Sequence, residues 1–139
     1  IDLFLVCFSW QMELRVDLYD WNNNKRYAKY SAFQVSDANS KYRLTVTGYS
    51  GNAGDGLGHH NGMMFTTKDS DNDQYSSGNC ANSRSGAWWY NDCNEKSNLN
   101  GLWRGDKSDD DANTWNTWHY RRSLKKNEMK MRPASFSRQ

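Results

Sequence analysis

Asp69-Ser70-Asp71-Asn72-Asp73-Gln74-Tyr75-Ser76-Ser77-Gly78-Asn79-Cys80, continued by Gly86-Ala87-Trp88-Trp89-Tyr90 and closed by Cys93, is the stretch on which the reading of this chain turns. Three carboxylates stand at alternate positions, followed by small residues whose carbonyls can turn inward. A hard, oxygen-seeking cation such as Ca2+ requires that donor set. The expected ligands are the side chains of Asp71 and Asp73, with the backbone carbonyls of Tyr75 and Ser77 and water completing the sphere; Asp69 is a third acid outside this set. No catalytic base, nucleophile or second metal cluster stands beside the loop, so the ion's expected role is structural.

Two rival readings can be weighed against the residues. An EF-hand starting at Asp69 would put Asp71 and Asp73 at its third and fifth positions, but Gln74 replaces the glycine needed at the sixth and Cys80 the bidentate Glu at the twelfth. That reading fails. A solvated Asp-rich turn is the ordinary fate of such a segment. The half-cystine at its end and the aromatic residues beyond it favour the metal here.

Composition bounds the fold. The 139 residues are enough for one domain and a modest core, yet only 36% are apolar, and mean hydropathy is −1.07. With seven Trp and eight Tyr, much of the buried area must come from large rings that carry a polar handle. Such a domain is loop-rich and needs clamps, and a cation and a disulfide are the two on offer. Cys7, Cys80 and Cys93 make an odd count, so full internal pairing is forbidden and the compartment argument rests on Cys80 with Cys93. Closing a loop of that size contributes about 3 kcal/mol by chain entropy, and oxidising surroundings fit better than cytosol.

A formal net charge of +2 is too balanced to drive binding to nucleic acid or an anionic membrane. The imbalance is local: Arg121 to Arg138 holds seven Lys or Arg against one Glu, and Asp106 to Asp111 holds four Asp and one Lys. Both read first as solvated surface, a basic contact for a polyanion being the alternative. No run approaches the ~20 apolar residues of a membrane span. The apolar Ile1 to Trp10 lacks the basic leader and cleavage site of a signal peptide. Residues 1–11 are therefore expected to be a non-domain leader of mis-spliced origin, ahead of a domain over 12–133 and a tail over 134–139.

Along the chain, Leu14, Val16 and Leu18 alternate with Glu13, Arg15 and Asp17, the period of a half-buried strand. Asp20 to Lys25 makes a polar turn. Arg26 to Val35 and Lys41 to Tyr49 predict two further strands, giving an antiparallel meander. From Ser50 to Ser97 Gly, Asn, Asp and Ser exclude an ordinary helix, leaving short pieces at Met63 to Thr66 and Ala87 to Tyr90. Leu124, Met129 and Met131 predict a late strand that rejoins the meander and stops before Pro133. His59-His60 reads as hydrogen-bonded scaffold. Trp88, Trp89, Trp103, Trp115 and Trp118 could stack on sugars, but most are needed for the core. No Gly-x-Ser-x-Gly elbow or Ser/His/Asp order stands out, so an enzyme is not expected.

Glu13-Leu14-Arg15-Val16-Asp17-Leu18, Tyr42-Arg43-Leu44-Thr45-Val46, Gly48-Tyr49-Ser50-Gly51, His60-Asn61-Gly62-Met63, Phe65-Thr66-Thr67-Lys68-Asp69, Asn79-Cys80-Ala81, Gly86-Ala87-Trp88-Trp89-Tyr90, Asn98-Leu99-Asn100-Gly101 and Glu128-Met129-Lys130-Met131-Arg132-Pro133 together resemble, in order, the later part of a fibrinogen-related domain. That is the module of ficolins, tachylectins, tenascins, angiopoietins and fibrinogen chains. The resemblance implies an α+β fold with an antiparallel sheet and a loop-rich calcium-binding subdomain, a Cys80–Cys93 disulfide, and a secreted recognition protein that oligomerises through regions outside this chain. It implies a cis peptide between Asp92 and Cys93, and beside it a ligand pocket that includes Cys93, Asn94, Arg84, Asp111 and Ala112, with Tyr120 nearby. Asn94 stands where many lectin members have His, and Arg84 and Asp111 where they have Tyr, so charge partly replaces an apolar methyl slot. The interval from Trp118 to Ser123 is one residue short, with Arg122 in place of a Tyr. The first half of the domain, with its own disulfide, is expected to be missing.

The leading expectation is a calcium-dependent extracellular module that binds carbohydrate or acetylated ligands in innate defence. The alternative is a protein-binding module of the fibrinogen, tenascin and angiopoietin kind, which the altered pocket residues favour.

Overall fold

The computed structural model describes residues 11–135; residues 1–10 of the expected 1–11 leader, residues 136–139 of the expected tail and any pairing of Cys7 lie outside them. Strand β1 (Met12–Tyr19) is flanked in one antiparallel sheet by β2 (Lys25–Val35), itself paired with β3 (Leu44–Gly51). A two-residue ladder, β4 (Ser97–Asn98) with β5 (Thr114–Trp115), stands apart. Strand β6 (Lys126–Pro133) returns to the free side of β1, giving the order β3-β2-β1-β6.

The alternation in β1 sets the sheet's two faces. Met12, Leu14, Val16 and Leu18 are buried in the core, and Glu13, Arg15, Asp17 and Tyr19 point to the other side. Each fully buried aliphatic side chain contributes roughly 1.5–3 kcal/mol. Against this face pack Leu57, Trp88, Trp89, Tyr90, Trp115 and Leu124 from the loop-rich region. The aromatic core inferred from composition is present.

The turn between β1 and β2 is organised by one carboxylate. Asp20 accepts the backbone N–H groups of Asn22 and Asn24 at 2.9 Å each and faces His119 Nε2 at 3.1 Å. Burial alone would raise its carboxyl, but the bonds from Asn24, His119 and Asn22 outweigh burial and hold it at about 2. Asn23 takes φ +64°, the left-handed conformation Asn tolerates.

Two strand boundaries differ from the sequence reading. The third strand begins at Leu44, not Lys41: Asp37 caps a 3-10 turn at Ala38–Ser40, and Lys41 and Tyr42 follow at φ +55° and +54°, a conformation no strand accommodates. Pro133 does not lie beyond β6 but ends it, opposite Met12, where a missing N–H costs least. Leu124 precedes β6 and is buried, whereas Met129 and Met131 within it are 37% exposed.

Between β3 and β6 regular ladders give way to side chains bonded to backbone. Ser97 Oγ donates to the Gly56 carbonyl at 2.8 Å, Trp115 Nε1 to Gly54 at 3.1 Å, and Asn98 Nδ2 to Arg84 and Ala112 at 3.0 and 3.2 Å. The abundance of Asn, Ser and Thr is thereby explained, since buried backbone groups must find partners where no ladder exists. Gly56 is required by packing: a Cβ there would lie 2.4 Å from the Trp115 ring.

The sheet is tied to this region through Tyr30. Its hydroxyl donates to Asp55 Oδ1 at 2.8 Å and accepts the Leu57 N–H at 3.1 Å. Removing it strands the buried Leu57 N–H, while Asp55 Oδ1 keeps the Gly58 N–H at 2.8 Å, so Tyr30→Phe is expected to lower unfolding free energy by about 1–3 kcal/mol, measured by urea denaturation of the oxidised protein.

Candidate functional site

The acidic loop is folded by its own side chains. Asn72 Nδ2 donates to the Phe65 carbonyl at 2.9 Å, Thr67 Oγ1 to Asp69 Oδ1 at 2.6 Å, and Asn79 Nδ2 to the Thr67 carbonyl at 3.0 Å. These bonds bring Asp71 and Asp73 together: the Asp73 N–H donates to Asp71 Oδ1 at 3.3 Å. Asp73 accepts the Tyr75 N–H on one oxygen at 2.9 Å and the Cys80 N–H on the other at 2.8 Å. Tyr75 and Ser77 lie exposed in the same loop, and the Tyr75 carbonyl faces the Gly78 N–H at 3.5 Å.

Charge decides whether a cation fits. Burial pushes the Asp73 carboxyl above its ordinary value, and neighbouring Asp71 adds to the push against the bonds from Cys80 and Tyr75. Among the described residues no Lys, Arg or His is ion-paired with Asp69, Asp71 or Asp73. Two mutually repelling carboxylates without a counter-charge are a donor set that a hard divalent ion fits. Asp73 also lies within 4.8 Å of both Cys80 and Cys93 sulfurs. Those sulfurs are bonded to each other, so they position the loop and do not ligate.

The Cys80–Cys93 disulfide, with Cα atoms 5.1 Å apart, joins the helical turn Cys80–Ser83 to the turn before β4. The cis peptide expected between Asp92 and Cys93 is not found; the described residues contain none. The chain reverses instead through Cys93 itself, at φ +67°. Its N–H donates to Glu95 Oε1 at 3.0 Å, alongside the Asn91 N–H at 3.2 Å, and its carbonyl accepts Arg84 Nε at 2.8 Å and Nη2 as well. The Asn94 N–H is taken by Asp92 Oδ1 at 3.1 Å.

Around this turn the sequence-predicted pocket residues gather unequally. Arg84, Asn94, Asp110, Tyr120 and Arg121 line a recess of only about 20 Å3, little more than one water. Arg84 spans its floor towards Asp110, 3.6 Å away, which also pairs with Arg121 at 2.9 Å. Asn94 and Tyr120 are exposed. Ala112 is fully buried and Cys93 nearly so, so neither offers a side chain to a ligand. Asp111 faces elsewhere: it accepts Ser85 Oγ at 3.0 Å and Arg104 Nε at 2.9 Å, and the Arg104 guanidinium holds its carboxyl below the usual range.

Glu95 carries no signal in the sequence, since Cys-Asn-Glu-Lys has the composition of a solvated turn. Its burial was set by what comes next: Ser97 and Asn98 enter the core as β4 and draw Glu95 under the Cys93 turn. Glu95 Oε2 lies 3.2 Å from His60 Nδ1, which itself contacts the Trp89 carbonyl at 2.9 Å. His60 Nε2 accepts the Ser97 N–H at 3.3 Å, so it carries no proton and the ring is neutral. Burial lowers His60 to about 4. Glu95 therefore has no cationic partner there, and burial pushes its carboxyl up to about 7.

The sign of the resulting pH dependence follows. Between the ordinary value of 4.5 and about 7 the native protein retains a proton that the unfolded chain has lost, so stability falls as pH rises through that window. Glu95→Gln is expected to remove this slope, which is at most ~1.4 kcal/mol per pH unit. Denaturation curves of both proteins across the window check it; parallel curves would contradict the assignment.

The family model for fibrinogen beta and gamma chains, C-terminal globular domain, matches residues 2–134. The chain is 43% identical to Fibrinogen C domain-containing protein 1 of Xenopus tropicalis, over 94% of this chain and 30% of that protein. It is 46% identical to Angiopoietin-related protein 7 of Mus musculus, over 88% and 37%, and 46% identical to Tenascin of Gallus gallus, over 91% and 7%. It thus spans well under half the length of these relatives. The fibrinogen-like globe domain of human ANGPTL2 superposes with TM-score 0.90 at 38% identity, covering 96% of this chain and 63% of that one. Lamprey fibrin D-dimer, solved with the peptide Gly-His-Arg-Pro-amide, superposes with TM-score 0.85 at 34% identity, covering 94% and 48%. With the sheet, the loop-rich subdomain and the disulfide all in place, the chain belongs to the fibrinogen C-terminal globular-domain family, a non-enzymatic binding module of α+β fold.

Proposed function

We propose that this chain is the ligand-recognition part of an extracellular module that takes a polar segment of a protein ligand at the Arg84–Asn94–Tyr120 surface, with Ca2+ held by the loop beside it. The observation that carries the protein-ligand reading is the state of the Cys93 turn. A neutral acetyl group needs free N–H donors and a methyl slot, but the Cys93 and Asn94 N–H groups are spent on Glu95 and Asp92, and the recess that Arg84 lines leaves only about 20 Å3. What remains exposed is Asn94, the Tyr120 ring and the Asp110–Arg121 pair over a half-buried Arg84, which suit peptide amides and charged side chains. The peptide seated on the fibrin relative is consistent with this class of ligand.

One observation favours a carbohydrate as the second reading. Tyr120 is 66% exposed, and such a ring can stack on a sugar face. The Cys80–Cys93 disulfide supports an oxidising, extracellular setting. Assembly into oligomers would multiply weak single sites by effective concentration.

The ligands of Ca2+ would be the Asp71 and Asp73 carboxylates and the Tyr75 and Ser77 carbonyls. The ion would supply the positive charge that this donor set lacks. Asp73 then passes the order of the loop to the Cys80 N–H, and the disulfide passes it to the Cys93 turn.

Calorimetric titration of the oxidised protein is expected to show Ca2+ binding that weakens at least about tenfold in Asp71→Asn and in Asp73→Asn. No heat with Ca2+ would contradict the metal assignment. For the ligand, displayed random peptides and an array of N-acetylated and neutral glycans can be screened in parallel. Peptides retained with Ca2+, and lost in chelator and in Arg84→Glu, are expected. Selective retention of N-acetylated glycans would contradict the protein-ligand reading and leave the carbohydrate one.

A further inference from the structure

The basic run near the end of the chain acquires a partner surface once the sheet is formed. On the solvent side of β1, Arg15 lies between Lys29 of β2 and Lys130 of β6. Glu13 is opposite Arg132, Asp17 lies between Tyr27 and Glu128, and Tyr19 lies between Lys25 and Lys126. Same-face neighbours along a strand are about 6.6 Å apart and adjacent strands about 4.8 Å. Six cations and three carboxylates thus share one rigid face, a surplus of three positive charges.

Depth separates the two signs further. The Asp17 side chain is 1% exposed, held under Lys130, Arg15 and Lys25 at 2.5, 3.1 and 3.8 Å. Glu13 and Glu128 are 17% and 33% exposed, whereas Lys130, Lys25 and Lys126 are 53%, 49% and 59% exposed. The cations stand outermost and the acids lie beneath them. Lys29 has no carboxylate within ion-pair distance among the described residues. Between these side chains runs a recess of about 330 Å3, lined by Glu13, Arg15, Lys29, Lys130 and Arg132 together with Leu14 and Met131.

We propose that this face of the sheet, centred on Arg15, Lys29 and Lys130, is a second binding site, for a linear sulfated polysaccharide. A row of fixed anions on one narrow chain matches cations placed in register along three strands, and the recess admits such a chain lengthwise. A single-stranded nucleic acid is disfavoured, because the Tyr19 and Tyr27 rings that could stack on bases are covered by Lys25, Lys126 and Arg15. A bilayer is disfavoured because the face projects no aliphatic or Trp side chain to enter one.

Heparin is the probe. Wild-type protein is expected to be retained on heparin and released by salt, with retention unchanged in chelator, since no residue of the acidic loop lies on this face. Lys29→Glu/Lys126→Glu, which leaves the Asp17 contacts to Lys130 and Arg15 in place and of the ion pairs gives up only the exposed Lys126–Glu128 pair, is expected to bind heparin about tenfold or more weaker by calorimetry, with an unaltered circular dichroism spectrum and a melting temperature lowered by no more than a few degrees. Lys107→Glu/Arg121→Glu, away from the sheet, is expected to bind as wild type. No retention of the wild type, equal affinity of the sheet variant, loss in the Lys107/Arg121 variant, or equal binding to phosphatidylserine vesicles or single-stranded DNA would each overturn the proposal.

Discussion

A half-buried carboxylate at Asp73 is the constraint on which the rest of the site depends. Its two oxygens hold the Tyr75 and Cys80 N–H groups, and Asp71 is pressed against it with no compensating cation among the described residues. Neutralising the pair by protonation would weaken the bonds that shape the loop, so the proposed Ca2+ would relieve the repulsion at lower structural cost. Because the Cys80 N–H opens the turn whose sulfur is bonded to Cys93, the charge state of the loop and the shape of the proposed ligand surface are linked.

The second half of that linkage is the Cys93 turn, which is fixed by side-chain hydrogen bonds on both sides. Glu95 draws in its N–H from below, and Arg84 clasps its carbonyl from above. Neither contact resembles an apolar slot. The sheet contributes a rigid wall: Leu14, Val16 and Leu18 meet Trp88 and Trp115 on one side, while the other side stays charged. A chain so poor in aliphatic residues holds its loops by spending Asn, Ser, Thr and Tyr side chains on backbone groups, as at Ser97, Asn98 and Tyr30.

How much of this the sequence disclosed depended on whether the signal was local. The period of two in Glu13 to Leu18 predicted β1 to within one residue, because a strand with one buried face must alternate. The polar turn after it was legible in Asp20 and Asn23 for the same local reason. Lys41 and Tyr42 misled, since their β-forming neighbours say nothing of the Asp37 cap that sends both into left-handed backbone. The acidic loop announced itself through its spacing, whereas Glu95 and the six-cation face did not: one is buried by a distant ladder, and the other is assembled from three strands that the sequence keeps apart. The family's motifs located the Cys93 turn but not its trans backbone.

The claim that the acidic loop governs the ligand surface through Asp73, Cys80 and the disulfide is tested most directly by following backbone amide resonances during a Ca2+ titration. The account predicts that the Cys80 and Cys93 amides shift with the same midpoint as those of Asp71 to Ser77, and that this joint response disappears in Asp73→Asn. Shifts confined to residues 69–77, with Cys93 and Asn94 unmoved at saturation, would contradict it.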